Sequence, residues 1–95
     1  MSVRNANVVV YSSPFCGYCA AAKRLLEDKG VAYEDIDVMF EAGKRAEMVA
    51  RSGRHTVPQI FVGERHIGGF DDLNALDEVG ELERVLADAQ LPSNP

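Results

Sequence analysis

The sequence predicts an α/β fold in which helices flank a four-stranded mixed sheet. Three observations carry this expectation. An unbroken apolar run, Val8-Val9-Val10-Tyr11, leads directly into a helix-forming stretch. A second strand and helix follow between Val31 and Arg51. Two short apolar runs separated by Gly63-Glu64 then have the spacing of a β-hairpin. The order is βαβα, then ββα and a terminal helix. Strands joined through a helix are parallel and hairpin strands antiparallel, so the sheet is mixed.

The first run is β-branched and aromatic without alternation, as in a strand buried on both faces. After Cys19, the stretch from Ala20 to Glu27 is rich in helix formers, with Ala22, Leu25 and Leu26 on one apolar face. Gly30 stands where a left-handed residue ends a helix. Val31 to Val38 reads as the second strand, although acidic residues interrupt it. Glu41 to Arg51 reads as a helix with Ala42, Ala46, Val49 and Ala50 as its apolar side and Gly53 just past its end. Gln59 to Val62 and Arg65 to Ile67 form the hairpin around Gly63. Asp71 or Asp72 caps a helix through Leu73 and Leu76, and Gly80 separates it from a last helix carrying Leu82, Val85 and Leu86. Leu91 to Pro95 reads as a frayed tail.

The chain reads as one domain over residues 1–95, with its core in about 6–88. Ninety-five residues at 46% hydrophobic support one modest core and no more. No run of eighteen apolar residues is present, so no membrane span is expected. Met1 to Asn5 has no secretory h-region, which points to the cytoplasm. The net charge of −5 argues against nucleic acid as a partner. Its distribution is uneven, because residues 71 to 88 carry seven acidic side chains against Arg84 alone. Lys44, Arg45, Arg51, Arg54 and Arg65 gather in mid-chain and could form a locally basic face for an anionic substrate. Taken singly, they are ordinary solvated charges.

Chemistry concentrates in Ser13-Pro14-Phe15-Cys16-Gly17-Tyr18-Cys19, which holds both cysteines. Thiols at this spacing can close and reopen a disulfide. Cys16 is expected in the first turn of the helix, where unpaired amides and the macrodipole favour a thiolate. Cys19 lies deeper along the same helix, so Cys16 is the nucleophile and Cys19 the resolving thiol. A structural disulfide closing so short a loop would remove little chain entropy. A zinc site is disfavoured, because His55 and His66 lack the spacing that completes a two-cysteine, two-histidine set. Both histidines read as surface residues of the loop and hairpin.

At three places the chain resembles a dithiol glutaredoxin of the small bacterial class: CxxC after the first strand, Thr56-Val57-Pro58-Gln59 before the third, and Gly68-Gly69-Phe70-Asp71-Asp72 after the fourth. The resemblance covers about residues 6 to 88 and implies the thioredoxin fold. It implies a glutathione-dependent thiol-disulfide oxidoreductase that reduces glutathione mixed disulfides and protein disulfides, with glutathione as co-substrate and no tightly bound organic cofactor; at this size a monomer is the default expectation. It also implies that Pro58 is cis and faces the cysteines, and that the backbone of Val57 pairs with the peptide backbone of glutathione beside Thr56. Gly69 lets the chain approach the ligand, and the amides opening the next helix receive the γ-glutamyl carboxylate. Asp71 or Asp72 receives its ammonium. Arg45 matches a position that meets the glycyl carboxylate, and Tyr18 an aromatic residue lining the groove. Phe70 is groove wall or core.

Ser13 stands where many members carry lysine, and Gly17 where the common dithiol motif has proline. The first departure shifts the burden of thiolate stabilisation onto the helix terminus. The second loosens the turn and motivates a different class of function. In it, Cys16 of each of two subunits, with two glutathione molecules, ligates a 2Fe-2S cluster in a sensor or carrier. A thioredoxin-like partner of a flavoprotein reductase is a weaker reading, since the chain has no tryptophan.

Overall fold

The structure is a computed structural model that describes residues 7–90. The predicted tail at 91–95 and the N-terminal residues 1–5 lie outside the described residues. The elements are β1 (Val8–Ser12), α1 (Gly17–Asp28), β2 (Tyr33–Asp37), α2 (Lys44–Ser52), β3 (Gln59–Val62), β4 (Arg65–Gly68), α3 (Phe70–Glu78) and α4 (Leu82–Gln90). The predicted element order and mixed sheet are both present. Strands run in the order β2-β1-β3-β4, with β1 parallel to β2 and antiparallel to β3, and β4 antiparallel to β3. Among the described residues, no helix is long and apolar enough to cross a membrane.

Alternation along β1 and β3 divides the core in two. Val8, Val10, Ile60 and Val62 face Ala22 and Leu26 of α1, Leu73 of α3 and Leu82, Val85 and Leu86 of α4. Tyr11 and Phe61 turn to the opposite side, where Ile36, Val38 and Met48 pack against them. The central strand β1 is therefore covered on both faces, as its unbroken apolar run predicts. The end of α1 also matches expectation. Gly30 takes φ 73° and donates to Glu27 O, while Val31 N–H donates to Leu26 O at 2.9 Å.

Four local expectations need correction. Strand β2 begins at Tyr33 rather than Val31, because the Val31 amide closes the end of α1. It also ends at Asp37, and Val38 follows the strand with its N–H on Ser12 O. Helix α2 begins at Lys44 rather than Glu41, because Asp37 Oδ1 accepts from Met39 N–H and Phe40 N–H and folds this stretch into turns. Gly43 then enters the helix with φ 81°, a region that favours glycine.

The third correction concerns the inner face of α2. Ala42, Ala46 and Ala50 are exposed and Val49 is half-buried, whereas Met48 is 0% exposed. The buried ring of Tyr11 ends in a hydroxyl that needs polar partners. Glu47 accepts from it at 2.6 Å and Arg51 donates to it at 3.0 Å, which turns this i, i+4 pair and Met48 inward.

Helix α3 is also capped differently from expectation. Gly69 occupies the N-cap, and Asp72, inside the first turn, accepts from Gly69 N–H at 3.0 Å. Asp71 makes no such cap.

Met48→Ala should lower the unfolding free energy by about 2–5 kcal/mol, whereas Ala50→Ser on the outer face should stay within about 0.5 kcal/mol. Urea denaturation of both variants checks this, and equal losses would restore the predicted alanine face.

Candidate active site

Strand β1 ends at Ser12, and the chain turns through Ser13 to Phe15 before α1 begins. Phe15 takes φ 63° and is 100% exposed. Cys16 is the N-cap of α1, one position earlier than the first turn predicted for it, in an extended conformation at φ −115° and ψ 111°. Its Sγ accepts from Cys19 N–H at 3.2 Å, and its carbonyl accepts from Ala20 N–H at 3.1 Å. The thiol is thus placed where a serine or aspartate oxygen usually satisfies an amide at the start of a helix. A negative charge on Sγ is stabilised by that amide and by the helix terminus.

The two cysteines are free thiols in different surroundings. Cys16 is partly exposed, whereas Cys19 is 1% exposed. Burial, and after it the hydrogen bond with Cys16, push the Cys19 thiol up to about 12, although a backbone hydrogen bond with Ser13 offsets part of the rise. Cys19 is therefore held as a thiol at neutral pH. This asymmetry matches the roles expected for the pair.

Opposite Cys16 stands the segment before β3. The Val57-Pro58 peptide bond is cis, and Val57 O faces Cys16 Sγ at 3.9 Å. Pro58 is buried, while Thr56 is exposed. Gln59, the first residue of β3, is buried and donates through Nε2 to both Thr56 O (3.0 Å) and Thr56 Oγ1 (3.2 Å). A side chain from the sheet thereby holds the loop.

An open groove of about 250 Å³ brings together Tyr18, Thr56, Val57, Pro58, Gly69, Phe70, Asp71 and Asp72. These are all the predicted binding residues except Arg45. Phe70 is both groove wall and core: it packs against the apolar cluster under α3 and stacks on Tyr18, with ring centroids 6.2 Å apart and planes at 26°. Arg45 does not line the groove. Its Nη1 donates to His55 O at 3.1 Å, one residue before Thr56.

Arg54 and Gln59 also line the groove; Arg54 is one of the mid-chain basic residues read as a possible face for an anionic substrate, whereas Gln59 carries no predicted binding role. Arg54 Nη1 lies 3.5 Å from Asp72 Oδ2. The available signals were the proximity of Arg54 to Thr56 and the glutamine completing Thr-Val-Pro-Gln. A larger groove of about 670 Å³ runs beside α1 and β2, past Lys23, Glu27, Tyr33 and Asp35, but no cysteine lines it. No cysteine lines the smaller groove either, but Val57, which does line it, is the residue that faces Cys16.

His55 is exposed, as predicted. His66 is not a plain surface residue of the hairpin. It is half-buried, stacks on Phe61 at 4.8 Å, and contacts Gln59 Oε1 at 2.7 Å. The mid-chain basic residues are largely partnered. Lys44 pairs with Glu47 at 3.1 Å, and Arg51 lies 4.0 Å over the Phe61 ring.

The glutaredoxin family profile matches residues 8–67. Glutaredoxin 3 of Escherichia coli strain K12 is 52% identical over 81 residues, which cover 85% of this chain and 98% of that protein. The solution structure of a glutaredoxin from Brucella melitensis has a TM-score of 0.78 at 47% identity, covering 92% of this chain and 95% of that one. A buckwheat glutaredoxin-glutathione complex has a TM-score of 0.80 at 33% identity, covering 92% and 82%. The matched segment contains both thiols and the cis-proline loop that faces them, and on this agreement the chain belongs to the glutaredoxin family and is a thiol-disulfide oxidoreductase.

Proposed function

We propose that glutathione supplies the electrons and binds in the groove between Tyr18, the Thr56 to Pro58 loop and the start of α3. The observation that carries this reading is the double role of Val57: its carbonyl faces Cys16 Sγ, and the same residue lines the groove. A peptide paired with the Val57 backbone would have its cysteinyl sulfur beside the nucleophile. The γ-glutamyl end is a zwitterion, and α3 offers it both signs of charge. Backbone amides at the helix start receive the carboxylate, and Asp71, exposed beside them, receives the ammonium. Asp72 supports the site by holding Gly69 N–H and lying near Arg54. The glycyl carboxylate lies toward Arg45, whose guanidinium already reaches the chain next to Thr56.

In the reaction, Cys16 thiolate attacks the glutathionyl sulfur of a mixed disulfide. The substrate thiolate leaves and takes up a proton, while glutathione remains on Cys16. A second glutathione thiolate attacks the glutathionyl sulfur, which releases Cys16 and oxidised glutathione. With a protein disulfide, Cys16 forms the first mixed disulfide and one protein thiolate leaves. The negative charge on Cys16 is then gone, and with it one cause of the raised Cys19 pKa. Cys19 loses its proton and attacks Cys16 Sγ, releasing the second protein thiolate and forming the Cys16-Cys19 disulfide. Two glutathione molecules return this disulfide to the dithiol. The chain works as a monomer, and the chemistry suits a reducing cytoplasm.

A bridging 2Fe-2S cluster is the second reading. It is favoured by open space beside the nucleophile, since a Cβ added at Gly17 would meet no atom within 4 Å. One partly exposed thiol per chain supplies one ligand, so a second copy and glutathione must supply the others.

In a mixed-disulfide assay coupled to glutathione reductase, Cys16→Ser should abolish turnover and Cys19→Ser should retain most of it. Turnover surviving in Cys16→Ser would remove the nucleophile assignment. Anaerobic reconstitution with iron, sulfide and glutathione should give visible absorption and a dimer if the second reading holds. A colourless monomer would eliminate it.

A further inference from the structure

The segment that faces Cys16 is held by a side-chain chain that reaches the far edge of the sheet. Gln59 is buried in β3, and its Nε2 is committed to two acceptors on Thr56, at 3.0 and 3.2 Å. The amide orientation follows from this contact, because a flipped Gln59 would set its own oxygen against the Thr56 carbonyl. Oε1 therefore points to β4, where His66 Nε2 lies at 2.7 Å. An oxygen there requires a proton on that ring nitrogen, so Nε2–H donates and the neutral ring carries no proton on Nδ1.

The ring itself is fixed. His66 stacks on Phe61 at 4.8 Å and 27° between planes, and Arg51 covers Phe61 at 4.0 Å. Burial, followed by the charge of Arg54, lowers the His66 pKa, with Arg51 acting in the same direction and Asp72 opposing it. The neutral form that gives Gln59 a single directed donor is thus the one held at neutral pH.

We propose that His66 is a positioning residue for disulfide exchange: through Gln59 it fixes Thr56 and the loop that presents Val57 to Cys16 and to glutathione. This rests on the reading that glutathione binds at that loop. His66 touches no reacting atom, so its removal should loosen substrate placement while leaving the thiol chemistry in place. A donor-free ring would leave a buried Gln59 oxygen without its partner, and the amide would turn to find another at the expense of Thr56.

Two substitutions separate the hydrogen bond from the stacking. His66→Phe keeps the ring and removes the donor, whereas His66→Gln keeps an N–H near the Nε2 position and removes the ring. The glutathione-coupled mixed-disulfide assay, with alkylation of Cys16 as a second readout, should show KM raised about tenfold in His66→Phe. In the same variant kcat and the alkylation rate should hold close to native, and His66→Gln should restore KM. Gln59→Leu, which cuts the chain from its other end, should raise KM as His66→Phe does, and it carries the test if His66→Phe does not fold. An unchanged KM in His66→Phe or Gln59→Leu would overturn the inference, as would equal impairment in His66→Gln and His66→Phe, because the ring would then matter only for packing. A native chain inactive with glutathione would instead bring down the binding reading on which the inference stands.

Discussion

The first amides of a helix have no carbonyl partner within it, and here a thiol sulfur takes one of them. Cys16 Sγ accepts from Cys19 N–H at the start of α1, and the rest of the site is arranged around that contact. It keeps the nucleophile at the helix boundary, partly exposed, where a negative charge is favoured. It also places Cys19 immediately beneath. There, burial, reinforced by the Cys16 neighbour, holds the second thiol protonated until the first has reacted.

A cap can serve as a reactive centre only if both of its sides are rigid. On one side, β1 is buried between two apolar layers and pairs with both β2 and β3, so the position of Ser12 at its end is firmly set. On the other, the loop before β3 is held by Gln59 from within the sheet and by Arg45 at His55 O. The hydrophobic layers thus act on the chemistry indirectly: they position the ends of two adjacent strands, and the thiol and the Val57 carbonyl meet where those ends converge.

Much of this was legible in the sequence because its signals are local. The apolar run of β1, the helix formers after Cys19, Gly30 and the hairpin glycine each act within a few residues, and each appears where expected. The cis bond at Pro58 and the groove residues entered through family resemblance, not through periodicity. What stayed hidden depends on contacts between distant residues. The inner face of α2 is not legible in its own periodicity because it is set by the Tyr11 hydroxyl on the same face of the sheet, which engages Glu47 and Arg51 and leaves Met48 buried beside them. His66 looks like an ordinary hairpin residue until β3 and β4 pair and bring it to Gln59. Phe70 could not be divided between core and groove from sequence, and the folded chain uses it for both.

The central claim is the unequal state of the two thiols, and the most direct test maps their reactivity against pH. The reduced chain would be pulsed with iodoacetamide across a pH series, and each cysteine followed by mass spectrometry. The account predicts that Cys16 is modified at neutral pH while Cys19 stays protected until strongly alkaline conditions, in keeping with a thiol pushed up to about 12. Equal reactivity at neutral pH, or earlier modification of Cys19, would contradict it.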